Sequence, residues 1–196
     1  IPKDTPVIGD AKRGDIGSTA QAYAKAMFQQ WGFDAVTANP YGGGDAVEPF
    51  LEYEDRGILI WCRSSNPDAV DFQDLSIGHG NEQRSLYEQV AIKALEWNRR
   101  GNVGLVMGAT YPEQLRTVRL ICPAMPILAP GVGTQEGVLE EVVKYGVNAE
   151  CEGLIINASR SVIFASKERA DFAREARRAA QELQQGINRA RELTQQ

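Results

Sequence analysis

The chain has 196 residues, of which 43% are hydrophobic and 24% are charged, a composition typical of one globular domain. Acidic residues outnumber basic ones by 26 to 21, which argues against a nucleic-acid binder that works through a basic surface. No apolar run approaches the roughly 20 residues that a membrane-spanning helix needs. The three cysteines have no C-x-x-C spacing, which argues against a disulfide framework or a zinc site. We therefore expect reduced thiols and a cytoplasmic protein with no nucleic-acid or membrane partner.

Short apolar runs alternate with amphipathic stretches along the chain, which is the pattern of consecutive strand–helix units. The predicted strands are 7–10, 35–38, 57–62, 103–107, 126–129 and 154–157. This alternation predicts a parallel sheet with right-handed crossovers. Periodicity alone leaves an open sheet and a (β/α)8 barrel as alternatives, and six units favour the open sheet.

The helices are predicted from apolar spacing and capping residues. The first begins in the cap region of Ser18 or Thr19 and ends at Gly32. Others are expected near 45–53, over 82–98, from 112 onward and up to 145, and a long charged helix is expected over about 167–195. We expect this last helix, interrupted only by Gly186, to dock on the outside of the domain. Trp31, Trp61 and Trp97 are interpreted as core or helix-packing residues.

Charged side chains of alternating sign gather where the first predicted strand ends. Because side chains alternate faces along a strand, Asp10 and Lys12 should point the same way. Asp15 follows Gly14, where the chain is free to turn. Chemistry in parallel α/β folds is placed at this end of the strands. From the residues alone, a solvated salt-bridge cluster is the alternative.

Five motifs, in order along the chain, resemble those of one enzyme family. They are D-A-K-R-G-D-I-G-S-T at 10–19, N-P-Y at 39–41, C-R-S-S-N-P at 62–67, G-A-T-Y-P-E at 108–113 and P-G-V-G-T-Q at 130–135. Together they resemble the orotidine 5'-phosphate decarboxylase family, in its longer bacterial branch. The resemblance runs from about residue 5 to the last predicted strand and the helix after it.

The resemblance implies an α/β fold, a TIM (β/α)8 barrel of the ribulose-phosphate-binding type, with six of its eight βα units visible here. It maps these six units onto the third to eighth strands of the barrel. Such a barrel usually takes about 250 residues. We therefore expect residues 1–196 to be a single, N-terminally incomplete barrel domain. The family's other catalytic lysine would lie in the first two units.

The resemblance also implies an activity, the decarboxylation of orotidine 5'-phosphate to UMP in pyrimidine biosynthesis, by a homodimer with shared active sites and without cofactor or metal. Loss of carbon dioxide leaves a carbanion at C6 that has no conjugated electron sink, so a nearby cation is needed. By resemblance, Asp10 lies near the substrate carboxylate and Lys12 protonates C6. Asp15 matches a residue that reaches into the neighbour's site.

Substrate-binding residues also follow from the resemblance. Thr19 matches a residue that contacts the ribose in the neighbouring subunit, Ser65 matches one that binds the pyrimidine edge, and Thr110 is a candidate to line the base pocket. The alternative for these three residues is that each hydroxyl only forms a hydrogen bond to the nearby backbone and does not contact a substrate. The predicted phosphate grip consists of Pro130, Gly131, Gly133, Gln135 and Arg160, on the seventh and eighth loops of the barrel.

Two other functions stay open at this point. One is a non-catalytic, phosphate- or nucleotide-binding barrel fragment. The other is a metal-dependent decarboxylase or aldolase of the same superfamily that acts on a sugar phosphate. The polar stretch 68–80 is a candidate lid over the site.

Overall fold

A computed structural model describes residues 1–80, 83–132 and 136–195. Its strands are β1 (Ile8–Arg13), β2 (Ala35–Ala38), β3 (Gly57–Arg63), β4 (Ser76–Ile77), β5 (Arg84–Ser85), β6 (Val103–Met107), β7 (Ile127–Pro130) and β8 (Leu154–Asn157). Six of them form one sheet, and β4 and β5 form a small antiparallel ribbon in the long segment after β3. The six strand–helix units predicted from the sequence are confirmed.

The order of strands in the large sheet is β1-β2-β3-β6-β7-β8, with every neighbouring pair parallel. The order follows the chain without reversal. A doubly wound open sheet reverses its strand order and carries helices on both faces. An unreversed order places successive right-handed crossovers on one side, as in a barrel wall. The open-sheet alternative, in its doubly wound form, is therefore wrong, and the sheet is part of a (β/α) barrel.

The helices form the outer layer. They are α1 (Gly17–Lys25), α2 (Gly44–Leu51), α3 (Leu86–Trp97), α4 (Pro112–Ile121), α5 (Glu136–Gly146), α6 (Arg160–Ile163) and α7 (Phe172–Thr194). Neighbouring helices pack side by side, α1 on α2, α3 on α4, α4 on α5 and α5 on α7. Within the described ranges, no helix combines the length and apolarity that crossing a membrane requires.

The main core lies between the helices and the outer face of the sheet. Val36, Ile60 and Leu105 project into it from three strands, and Phe50 meets them from α2; all four are fully buried. Burying a side chain of this size contributes about 1.5–3 kcal/mol relative to exposure. This layer therefore fixes the positions of the strands and, with them, of the loops that follow.

A second, smaller apolar cluster covers the concave face of the sheet. Leu59, Val106 and Leu128 are buried there, with Ile8 and Trp61 partly buried beside them. Val106 pairs in register with Leu128 on one side and with Trp61 on the other, whereas Leu59 lies two residues earlier on its strand, opposite Gly104. The cluster forms an apolar floor beneath the strand ends.

The long C-terminal helix is shorter than predicted. It begins at Phe172 and not near 167, and Arg160–Ile163 form the separate α6. The helix docks on α5, as expected. Gly186 does not interrupt it: a Cβ at that position would lie 2.9 Å from Leu139 Cδ2, so the glycine allows the two helices to approach closely.

Two helix starts and one tryptophan also differ from the predictions. The N-cap of α1 is Ile16 without a side-chain cap, so Ser18 and Thr19 lie inside the helix. The N-cap of α3 is Ser85, which forms a capping box with Glu88, and the helix starts later than residue 82. Trp31 is exposed and not part of the core. The capping box of α3 is a local pattern that the prediction overlooked, whereas the exposure of Trp31 depends on tertiary packing, which local patterns do not report.

Candidate active site

A cavity of about 310 Å³ opens on the concave face, where the strands end. Five strands, β1, β3, β6, β7 and β8, and the loop after β3 contribute to it. The residues that supply polar or aromatic side chains to its lining are Asp10, Lys12, Trp61, Ser64, Ser65 and Asn157, and Pro130 also lines it. The structure therefore brings the predicted catalytic pair together with predicted pyrimidine and phosphate residues.

Asp10 and Lys12 form an ion pair in this cavity. The Lys12 ammonium donates a hydrogen bond to Asp10 Oδ1 at 2.5 Å, which confirms that the two side chains share a face. The strand is not regular there, because Lys12 has a φ of 46° and the pairing of β1 with β2 shifts between Gly9 and Arg13. Lys12 Nζ also lies 5.8 Å from the centre of the Trp61 ring. The ammonium thus stands above the apolar floor, beside a carboxylate.

Thr37 of β2 forms hydrogen bonds with both residues of the pair and does not line the cavity. Its hydroxyl donates to Asp10 Oδ1 at 2.9 Å and accepts the backbone N–H of Lys12 at 2.9 Å. Burial raises the pKa of Asp10, but the hydrogen bonds from Lys12 and Thr37 and the Lys12 charge together hold it below its usual value. Asp10 is therefore ionised at neutral pH. Sequence analysis missed Thr37; the one signal was a polar residue within the apolar strand 35–38.

Two predicted site residues lie away from this cavity. The Asp15 carboxylate accepts the N–H of Ile16 at 2.8 Å, and Thr19 is exposed on α1. Neither belongs to the described lining. Within one chain, the structure does not bring these two residues together with Asp10 and Lys12.

Ser65 lines the cavity on a loop held by its neighbours. The Thr110 hydroxyl donates to the Ser65 carbonyl at 3.1 Å, so Thr110 lies behind the loop and not in the described lining. A Cβ on Gly108 would come within 2.6 Å of Ser65 N, and one on Gly131 within 3.2 Å of Ser65 Cβ. Both glycines therefore let the loops after β6 and β7 close onto this loop.

The predicted phosphate residues are only partly in the cavity. Pro130 lines it and pairs in register with Asn157, another lining residue. Gly131 has a φ of 93°, a backbone conformation that glycine adopts without strain. Arg160 is exposed at the start of α6, three residues past Asn157 and outside the described lining. Gly133 and Gln135 lie outside the described residues.

A second ion pair, which the sequence analysis did not identify, supports the loop that carries Ser65. Arg63 donates to both carboxylate oxygens of Asp74 at 2.8 Å, and Nη1 donates to the Ser64 carbonyl at 3.1 Å. Its guanidinium lies 3.7 Å from the centre of the Tyr111 ring. The hydrogen bonds from Arg63 hold the pKa of Asp74 below its usual value. This pair ties the candidate lid 68–80 to the end of β3.

No three His, Cys, Asp or Glu side chains lie close enough together to hold a metal ion in the ranges 1–80, 83–132 and 136–195. Cys62, Cys122 and Cys151 are buried free thiols, as predicted.

Residues 2–176 match the profile of the family described as the orotidine 5'-phosphate decarboxylase / HUMPS family. The chain belongs to this family. The resemblance inferred from the five motifs is thereby confirmed, over nearly the same part of the chain.

Relatives in the orotidine 5'-phosphate decarboxylase family include bacterial and protozoan proteins. The chain is 48% identical to a Dehalococcoides mccartyi (strain 195) protein named orotidine 5'-phosphate decarboxylase, over 97% of this chain and 70% of that protein. It is 52% identical to the Roseiflexus castenholzii protein of that name, over 94% and 67%. The structure of Leishmania donovani OMP decarboxylase superposes with a TM-score of 0.86 and 40% identity, over 97% of this chain and 70% of that one. The chain thus spans about 70% of the length of such relatives.

Proposed function

We propose that this protein decarboxylates orotidine 5'-phosphate to UMP, the reaction for which its relatives are named, in pyrimidine biosynthesis. The observation that carries the proposal is the 2.5 Å Lys12–Asp10 ion pair in an open cavity at the strand ends. The names of the relatives indicate the substrate, and the ion pair supplies chemistry suited to it.

The proposed reaction breaks the bond between C6 and the carboxylate carbon. Its electron pair stays on C6 and carbon dioxide leaves, after which the Lys12 ammonium gives C6 a proton. Asp10, held ionised by Lys12 and Thr37, lies beside the leaving carboxylate, where its charge disfavours the bound ground state. The Lys12 charge favours the developing carbanion.

Recognition of the nucleotide is proposed at two ends of the cavity. Ser65 binds the pyrimidine edge, on a loop that Thr110 holds through its carbonyl. The phosphate binds near Pro130 and Gly131, with Arg160 supplying a planar, always-charged fork. Gly133 and Gln135 complete this grip by resemblance.

A homodimer with shared sites is the proposed assembly. Gly14 packs against the Asn39 carbonyl, so the loops after β1 and β2 lie together. Their apolar side chains Ile16 and Tyr41 are 69% and 86% exposed. In the proposed dimer these two side chains would be covered by the partner subunit. Asp15 precedes Ile16, outside its own chain's cavity, and by resemblance it contributes to a neighbour's site in the proposed dimer; Thr19 follows one turn later.

Subunit complementation tests the shared site. Lys12→Ala and Asp15→Ala variants of the complete protein, each inactive alone, are mixed and allowed to exchange subunits. A mixed dimer has one intact site, so random exchange should restore about one quarter of wild-type activity. No recovery despite exchange, or a monomer by analytical ultracentrifugation, would exclude sharing.

Two further strand–helix units are proposed to close the sheet into the complete barrel. Among the described strands, β1 and β8 each pair along one edge only, and the concave face is open beside Ile155. The added units would carry the second catalytic lysine implied by the family. A native protein of only 21.5 kDa, measured as intact mass, would contradict this.

The activity is tested by carbon dioxide release from orotidine 5'-phosphate by the complete protein, with a chelator present. Turnover inhibited by UMP and not by sugar phosphates is expected. Turnover only after metal is restored, or only with a sugar phosphate, would favour the metal-dependent alternative. UMP binding without turnover would favour a non-catalytic binder.

The buried free thiols support a cytoplasmic location, which fractionation of cells checks.

A further inference from the structure

The Thr37 hydroxyl contacts both members of the proposed catalytic pair while lying outside the cavity. Thr37 is 0% exposed, in the middle of a buried apolar strand. Its oxygen is 2.9 Å from Asp10 Oδ1 and 2.9 Å from the backbone nitrogen of Lys12. Substrate in the cavity would therefore meet Asp10 and Lys12 but not Thr37 itself.

The direction of both hydrogen bonds follows from the donors available. The Lys12 N–H can only donate, so the Thr37 oxygen accepts it. The single hydroxyl proton is then free for Asp10 Oδ1, which also accepts the Lys12 ammonium at 2.5 Å. One carboxylate oxygen thus receives two donors, from Thr37 and from Lys12 Nζ. This arrangement fixes the rotation of the Asp10 carboxylate about its side-chain bonds.

The same hydroxyl holds an unusual backbone at Lys12. A φ of 46° is uncommon for a residue other than glycine, and regular pairing with β2 is interrupted between Gly9 and Arg13. At this irregular position the Lys12 N–H bonds to a side chain of β2. Such conformations persist only where the surroundings hold them, and here they direct the Lys12 side chain toward Asp10.

We propose that Thr37 is a positioning residue for decarboxylation: one buried hydroxyl sets the carboxylate of Asp10 and the backbone of Lys12 together. The inference rests on the proposed function. A hydroxyl that serves stability alone would contribute to folding and leave the chemical step unchanged. Catalytic groups must be held close to their productive geometry, and a displacement of about 1 Å costs about a hundredfold in rate.

Three variants of the complete enzyme separate positioning from stability. Thr37→Val keeps the shape of the side chain and removes the hydroxyl, and Thr37→Ser keeps the hydroxyl and removes the methyl group. Val36→Ala, at the fully buried neighbour on the same strand, is the control for loss of core packing. Steady-state kinetics with orotidine 5'-phosphate and thermal unfolding are measured for each.

Thr37→Val should lower kcat about tenfold to a hundredfold with KM changed less than about threefold, and Thr37→Ser should restore kcat to within about threefold of wild type. Val36→Ala should lower the unfolding temperature with kcat nearly unchanged. A normal kcat in Thr37→Val, or an equal loss in Val36→Ala, would overturn the inference while wild-type turnover upholds the proposed function. Absent wild-type turnover would instead overturn the proposed function, and this inference with it.

Discussion

Two cation–carboxylate pairs lie near the ends of strands β1 and β3, and they differ chiefly in how exposed their side chains are. The side chains of Lys12 and Asp10 are 34% and 60% exposed, and they face the cavity. Those of Arg63 and Asp74 are 1% and 28% exposed, with the guanidinium enclosed by its own strand end, Asp74 and the Tyr111 ring.

This difference in exposure suggests different roles for the two pairs. An exposed ion pair contributes only about 0–1 kcal/mol to stability. Because Lys12 and Asp10 are exposed to the cavity, a substrate can contact both of them. A buried guanidinium is costly without its partner, so Arg63 and Asp74 stabilise the loop that carries Ser65. We therefore expect the first pair to control catalysis and the second to control folding.

The largest expected effect is on turnover at the exposed pair. Lys12→Ala should lower kcat about 10³-fold or more, because it removes the proposed proton donor, while UMP binding survives in part and the unfolding temperature stays nearly constant. Lys93→Ala, which breaks the exposed Lys93–Glu96 pair on α3, is the matched control and should leave kcat unchanged. Near-normal turnover in Lys12→Ala would refute the mechanism.

Breaking the buried pair should act on stability. Asp74→Ala leaves the Arg63 guanidinium buried without its carboxylate and should lower the free energy of unfolding by about 3 kcal/mol, measured by urea denaturation. This is near the low end of such costs, because Asp74 is itself partly exposed. Asp71→Ala, at an exposed aspartate on the same segment, is the control. Equal stability of the two variants would show that the pair does not support the loop.

A third cation extends the comparison, since no carboxylate in the described ranges pairs with Arg160. Its charge is therefore available to the substrate phosphate. Arg160→Ala should raise KM about tenfold to a hundredfold, as expected for loss of a charged hydrogen bond, with a smaller fall in kcat. Arg169→Ala, at an exposed arginine nearby in sequence, should change neither. Unchanged kinetics in Arg160→Ala would remove this residue from the site.

The smallest expected effect is the acid dependence of the buried pair. The lowered pKa of Asp74 means that its contribution is present above the unfolded-state pKa of about 4 and is lost as pH falls through the folded-state value. The gap in unfolding free energy between wild type and Asp74→Asn should therefore close below about pH 4. Urea titrations from pH 7 to acid measure it, and a constant gap would contradict the assignment.

Much of the site could be predicted because strand ends are local features. The alternation of side chains along a strand placed Asp10 and Lys12 together, and the motif after β3 located Ser65. Thr37 and Asp74 could not be found this way. Their partners lie 27 and 11 residues away in the sequence, and only the pairing of strands and the folding back of a loop bring them into contact.

The sequence by itself determined the six strand–helix units, the free thiols and the family, because apolar periodicity, cysteine spacing and contiguous motifs are all properties of short segments. Tertiary structure decided that the strands follow one another without reversal, that Trp61 lines a cavity and that Trp31 is exposed. It also decided which of two similar ion pairs is buried. The burial of a side chain depends on which segments, distant in the sequence, pack over it. Those contacts form only when the sheet and its helices have packed together.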